Sequence, residues 1–442
     1  MMGLGTVPAV PDAPTWWATP APAGSPAARL PFYALMFFTF VVLVAPQGLL
    51  PALAPLHLAL VAGTVAAVTH VTDRLRRAAS LTVREPEIRL ALLLFGLGTL
   101  SVPTSYWIEG SVQTLLGLFG KSLIVFLLIA NILVTAERLR GMVWLLTLGS
   151  MIPAAAVVKD YLSGDLAGAR VHGYLSALTS NSNDVALTLN IVIALAVGLT
   201  LASPRRGHRV ALAAAIALGV AGVVVTFSRA GFIFLTTTLL LYLGRLKKGR
   251  SGIVVLLLLL LVLTLNVDGF IARLGTIGDV QTDGSGRERW ETIGKAFSLM
   301  ATHPLTGVGV GQSILALNDI GGVRWRNIHN VYLEIAVDLG IPALLVYLAL
   351  LYRALRSVAE ARRAWSAADV DLYYLAQGLE ISLIGFAVAA MFYPVAYHLF
   401  FYYLLGLAVA VKGLGRQEIL APAGHLRAAG EGRAAIGDRG HR

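Results

Sequence analysis

No cysteine occurs anywhere in the 442 residues. Disulfides and thiolate nucleophiles are thereby excluded, and a cysteine-ligated zinc or iron site goes with them. Charge is scarce as well: Asp, Glu, Lys and Arg together make up 13% of the chain, against 57% hydrophobic residues. A soluble domain carries roughly a quarter of its residues charged, so this composition cannot clothe a large water-facing surface. With a mean hydropathy of +0.75, the chain reads as a membrane protein.

Acidic residues are the scarcer sign, 24 against 35 Lys and Arg, for a formal charge of +11. In a soluble chain that excess would suggest nucleic acid. In a polytopic chain its meaning depends on where the bases sit relative to the spans. Residues 1–28 are rich in Pro and Ala and lack the basic segment of a signal peptide. They are expected to form a disordered tail, as is the polar stretch 413–442.

Apolar runs suited to a bilayer of about 30 Å, which needs roughly 17 to 25 helical residues, lie near 31–50, 53–72, 90–105, 112–134, 142–159, 183–203, 210–227, 231–244, 252–267, 329–352, 373–392 and 395–411. The expected fold is therefore an all-α polytopic membrane helix bundle with about 12 spans. With the N-terminus inside, most Lys and Arg fall on the cytoplasmic side, including Arg74, Arg76, Arg77, Arg205, Arg245 and Arg362, as topology rules require. Orientation and anionic lipid account for these charges better than nucleic acid does.

The outer bases cluster in two loops, 160–182 and 268–328. The longer one contains the helix-compatible stretch RERWETIGKAFSLMATHP and is expected to be an ordered, partly helical cap. An arginine fork matches phosphate oxygens. The plainer reading, ion pairing with Asp279, Asp283 or Glu288, suits any one arginine, whereas the cluster as a whole points to a diphosphate. Arg229 sits with Ser228 in a tight turn between two apolar helices, and an interfacial arginine facing a bundle marks a site more often than a snorkelling side chain.

His329 heads the expected tenth span. In the first turn of a helix the dipole disfavours imidazolium, which leaves a neutral general base next to a place suited to an anion. A polar cap residue, alongside Asn330, is the competing reading, and the residues alone leave both open. Asp338, nine residues on, would lie on the order of 13 Å deeper and needs a hydrogen-bond partner, a wet cavity or a proton.

Three other patterns carry no chemistry. Gly307, Gly309 and Gly311 lack dinucleotide-loop spacing and serve tight turns. Asp369-Val370-Asp371 reads as a solvated helix start on the opposite side. His172, His303, His329 and His398 show no metal-ligand spacing, so no metal is expected.

Three ordered motifs resemble those of the bacterial O-antigen ligase and O-antigen polymerase superfamily of polytopic glycosyltransferases. Pro304-Leu305-Thr306-Gly307-Val308-Gly309, then His329-Asn330-Val331-Tyr332-Leu333 and Gly340, resemble a P-x-x-G-x-G … H-N-x-Y-L … G signature. Ser228-Arg229-Ala230-Gly231 resembles an S-R-x-G turn. Arg170-Val171-His172-Gly173 with Asn181-Ser182-Asn183 resembles an upstream R-x-x-G … N-x-N element, with Ser182 where proline is common. The family also carries an arginine ahead of the loop proline; Arg289 lies fifteen residues before Pro304, with Arg287 as the alternative. The likeness spans roughly 170–345.

The resemblance implies a GT-C-like transmembrane glycosyltransferase domain over 29–412 in the bacterial inner membrane, its site facing the periplasm. It implies transfer of glycan from an undecaprenyl diphosphate carrier to the hydroxyl of lipid A-core or of a growing glycan, with no cofactor, metal or nucleic acid. In that scheme His329 is the catalytic base. Arg229, Arg289, Arg170 and Arg287 hold the diphosphate, and Asn330, Tyr332, Gly307, Gly309 and Ser228 support them. Ligase and polymerase share these motifs. From another class, a secondary transporter with Lys121, Asp184 or Asp338 in a coupling path lacks the expected repeat of two halves.

Overall fold

Long apolar runs, deprived of water, satisfy their backbone groups internally as helices, and the computed structural model is built almost wholly from them. It describes residues 28–167, 170–176, 178–245, 284–320, 325–365 and 369–416, and of residues 284–289 only the backbone. Most of both expected tails and the expected span at 252–267 lie outside the described residues.

The first half contains α1 (Arg29–Val44), α2 (Pro46–Leu49), α3 (Leu58–Arg76), α4 (Pro86–Ser101), α5 (Ile108–Thr114), α6 (Gly120–Ile132) and α7 (Ala136–Ser163). A two-residue hairpin, β1 (Leu166–Ala167) and β2 (Arg170–Val171), pairs Ala167 with Arg170. Then come α8 (Ser182–Ala202), α9 (Arg206–Val225) and α10 (Arg229–Arg245). The second half contains α11 (Gly284–Thr302), α12 (Ser313–Asp319), α13 (Val331–Leu339), α14 (Ile341–Trp365), α15 (Val370–Ala389) and α16 (Leu399–Arg416).

Among the described residues, nine helical stretches are long and apolar enough to cross a membrane: 51–76, 86–104, 108–132, 136–163, 182–202, 206–225, 341–365, 370–389 and 399–416. α1, at 16 residues, is shorter because Ala45 turns left-handed ahead of Pro46. The fold is an all-α polytopic membrane bundle. α8 is its centre, buried at every position except Asn183 and Asp184 near its start. It packs against α15 through Gly198 and Gly378, where a Cβ on Gly198 would come within 2.5 Å of the Tyr374 carbonyl oxygen. Small residues let membrane helices approach this closely.

At one end of the bundle several bases are held in ion pairs. Lys412 lies 2.9 Å from the fully buried Glu87 and 2.8 Å from Glu85, and Ser357 donates to Glu87 at 2.6 Å. Arg245 and Arg362 both meet Glu380, at 3.0 and 2.6 Å. Removing one partner from such a buried pair costs about 3–5 kcal/mol. These pairs tie α4 to α14 and α16, and α10 to α14 and α15. Asp369 caps α15 by accepting from the backbone N–H groups of Asp371 and Leu372, the helix start its sequence suggested.

The opposite end carries the cap. α11, α12 and α13 share a small apolar core of their own, with Ala296, Leu299, Leu317, Ile328 and Val337 among its members. One expectation needs correcting here: the tenth span does not begin at His329. The chain breaks at Gly340 (φ +85), leaving α13 as a separate nine-residue helix and starting the span at Ile341. A Cβ at Gly340 would sit 2.4 Å from the Leu305 carbonyl oxygen. Only glycine lets the glycine-rich loop lie against this break, where Ile341 N–H donates to the Pro304 carbonyl at 2.8 Å.

Candidate active site

The site is assembled where α8, α10 and α13 begin, and each start is a capped helix terminus. Asn181 caps α8, its side chain accepting from the N–H groups of Asn183 and Asp184 at 2.9 and 3.0 Å. Ser228 caps α10, accepting from Gly231 N–H at 3.2 Å. Asn330 caps α13, accepting from Leu333 N–H at 3.1 Å, so its expected capping part is what the structure displays.

The upstream element and the S-R-x-G turn meet. Ser228 Oγ donates to Asn183 Oδ1 at 2.9 Å, across 45 residues of sequence. On the other side of the turn, Arg170 Nη2 donates to the carbonyl of Phe227 at 3.4 Å. Phe227 itself is left-handed, with φ +48, an unusual conformation for a large side chain. A hydroxyl bond and a guanidinium bond thus brace the turn that presents Arg229.

His329 lies one residue ahead of the α13 cap, not inside the first turn. The helix-dipole reasoning therefore applies to it only weakly. Its ring is oriented instead by its own loop: Nδ1 is 2.9 Å from the carbonyl oxygen of Asn327. A carbonyl can only accept, so the proton sits on Nδ1 and, in the neutral ring, the lone pair is on Nε2. That is the tautomer a general base needs.

Arg229 and His329 line one cavity of about 290 Å³, with Asn327, Trp290, Thr292 and Phe392 also in its wall. Ile233, one turn further along α10, and Met391 add apolar surface. An arginine fork and an imidazole above an apolar wall suit an amphipathic anion. Arg170 reaches the turn backbone rather than this wall. Arg287 and Arg289 are on α11, with Arg289 immediately before Trp290, but their side chains lie outside the described residues.

The remaining motif residues shape the platform. Gly307 and Gly309 take positive φ (+66 and +104), and a Cβ on Gly307 would sit 2.3 Å from the Asp338 backbone. Val308 and Gly309 donate to the carbonyls of Val337 and Asp338 at 2.9 and 3.0 Å. The loop therefore wraps the end of α13. Asp338 is fully buried and accepts from Gly311 N–H, Ser313 N–H and Tyr397 O–H at 3.0, 2.8 and 3.0 Å, and burial pushes its carboxyl up to about 6. Tyr332 donates to the Ala387 carbonyl at 2.7 Å, holding α13 against α15.

Sequence reasoning missed Asn183 as a working residue, quoting it only as part of a motif. The signal that could have found it is a second asparagine just inside a span's start, where an amide needs a polar partner. Asn183→Ala is expected to slow turnover by about ten- to a hundredfold through a displaced Arg229. The accompanying loss of stability should be only about 1 kcal/mol. Transfer assays and thermal melts of the purified variant check both, and Asn183→Asp, which keeps the acceptor oxygen, should recover most of the rate.

Residues 214–348 match the family model described as O-antigen ligase. No curated protein matches the chain. The matched segment contains both Arg229 and His329, so the part of this multi-pass membrane protein that carries the cavity is similar to a family of glycosyltransferase-type enzymes.

Proposed function

We propose that the protein moves a glycan from an undecaprenyl diphosphate carrier to an acceptor hydroxyl on lipid A-core, as an O-antigen ligase does, at the periplasmic face of the bacterial inner membrane. The observation that carries this reading is the shared cavity of Arg229 and His329. His329 Nε2 takes the proton of the acceptor hydroxyl as its oxygen bonds to the anomeric carbon. The bond from that carbon to the diphosphate oxygen breaks, and the lipid diphosphate departs with the charge. Arg229 holds that growing charge through its planar fork, joined by Arg289 or Arg287 from α11. The Asn183 and Arg170 contacts keep the Arg229 turn in place. In this scheme neither proton transfer nor charge stabilisation is assigned to a metal.

The inner-membrane and periplasmic assignments rest on the basic loops, most of which gather at the end opposite the cavity. The whole of 29–412 acts as the transferase domain, with 1–28 and 413–442 as cytoplasmic tails. Polymerisation of repeat units on the carrier uses the same chemistry and is the second reading, favoured by the family match as much as ligation is. The lipopolysaccharide of a strain lacking the gene separates them. Ligation predicts unattached polymer and a bare core, polymerisation predicts a core bearing one repeat, and an unchanged ladder overturns both.

A further inference from the structure

Trp290 stands out on α11 because nothing in the packing of that helix requires it. The inward face of α11 is carried by Thr292, Ala296 and Leu299, all buried. Trp290 is 65% exposed, and Phe297, seven residues on, is 53% exposed. Leaving an indole wet forgoes the burial that usually places tryptophan in a core. α11 is not among the helices long and apolar enough to cross a membrane. Yet Trp290 lines the same cavity as Arg229 and His329.

We propose that Trp290 is a carbohydrate-stacking residue, its indole taking the C–H face of a pyranose ring so that the ring's hydroxyls and anomeric carbon are presented toward His329 and Arg229. A pyranose has one apolar face ringed by hydroxyls. A cavity that combines a flat aromatic with an imidazole and a guanidinium matches both parts. The side chains of Ile233, Ile293 and Met391 in the wall offer no such flat face, and the wall's other aromatic ring, Phe392, is partly buried against the bundle core whereas Trp290 is open. This assignment rests on the glycan-transfer reading for the identity of its ligand, but it concerns binding and can be measured without turnover.

The probes are core oligosaccharide and O-polysaccharide, each released by mild acid from the lipopolysaccharide of the source strain. Binding to the detergent-solubilised full chain is read by calorimetry and by saturation transfer from protein to sugar. Trp290→Leu keeps an apolar side chain and removes the ring; the dissociation constant is expected to rise about tenfold, in line with the worth of one aromatic contact. Trp290→Phe should stay within about threefold of the wild type, and both variants should melt with it because the position is exposed. Loss for core oligosaccharide alone places the stacked ring in the acceptor, and loss for O-polysaccharide alone places it in the transferred glycan. A Trp290→Leu protein that binds both as the wild type does, or a wild type that binds neither, overturns the proposal. If the wild type binds and Trp290→Leu does not, while no transfer is found in any assay, the stacking residue stands and the transferase reading falls.

Discussion

His329→Ala is expected to lower glycan transfer by about 10²–10⁴-fold while leaving the fold in place. The ring is half-buried and sits ahead of the α13 cap, with Nδ1 bonded to its own loop carbonyl at 2.9 Å. The helix it precedes is fastened by other residues: Asn330 at its cap, Val331 N–H to the Ala390 carbonyl, and Tyr332 to the Ala387 carbonyl. Losing the imidazole should therefore show in rate and not in melting temperature. The assay is single-turnover transfer by purified protein in buffer containing EDTA. Turnover by the alanine variant at the wild-type rate would end the base assignment.

Arg229→Lys should have the next largest effect, about a hundredfold, even though the charge is retained. A fork that grips two phosphate oxygens becomes a single ammonium, and the shorter reach of bonding is felt most when charge collects on the leaving diphosphate. Arg229→Ala should fall further, toward about 10³-fold. The measurement is the catalytic rate at saturating lipid-linked donor, which separates transition-state support from simple donor affinity. A lysine variant with an unimpaired rate argues against two-pronged phosphate binding.

Much of the bundle could be read in advance, because a bilayer demands long uninterrupted apolar runs and the chain supplies them. The helix break at Gly340 was missed although its signal is present: a glycine just past the last periodic residue, followed by Ile341 and Pro342, is a stop and a restart. Reading 329–352 as one span placed His329 on a membrane helix, whereas it belongs to a loop in the cap. The same slip put Asp338 deep in a span, in need of a hydrogen-bond partner, a wet cavity or a proton. It is the acceptor for two loop amides and a tyrosine, partners set 25, 27 and 59 residues away in sequence. Contacts across such separations leave no local pattern, and the bond from Ser228 to Asn183 is of the same kind. Arg229 and His329 were found individually by residue type and motif, but their shared cavity is a property of how α10 and the cap meet.

The Gly340 break has a bearing on bilayer thickness. A spanning helix adjusts to a thicker or thinner membrane by tilting, and a rigid extension of it would carry that tilt into whatever it supports. Here α14 ends at a glycine, and α13 takes its position from α15 and the glycine-rich loop. The position of His329 is thus tied to α15 and the glycine-rich loop, so a tilt of α14 is not passed along one continuous helix to the site.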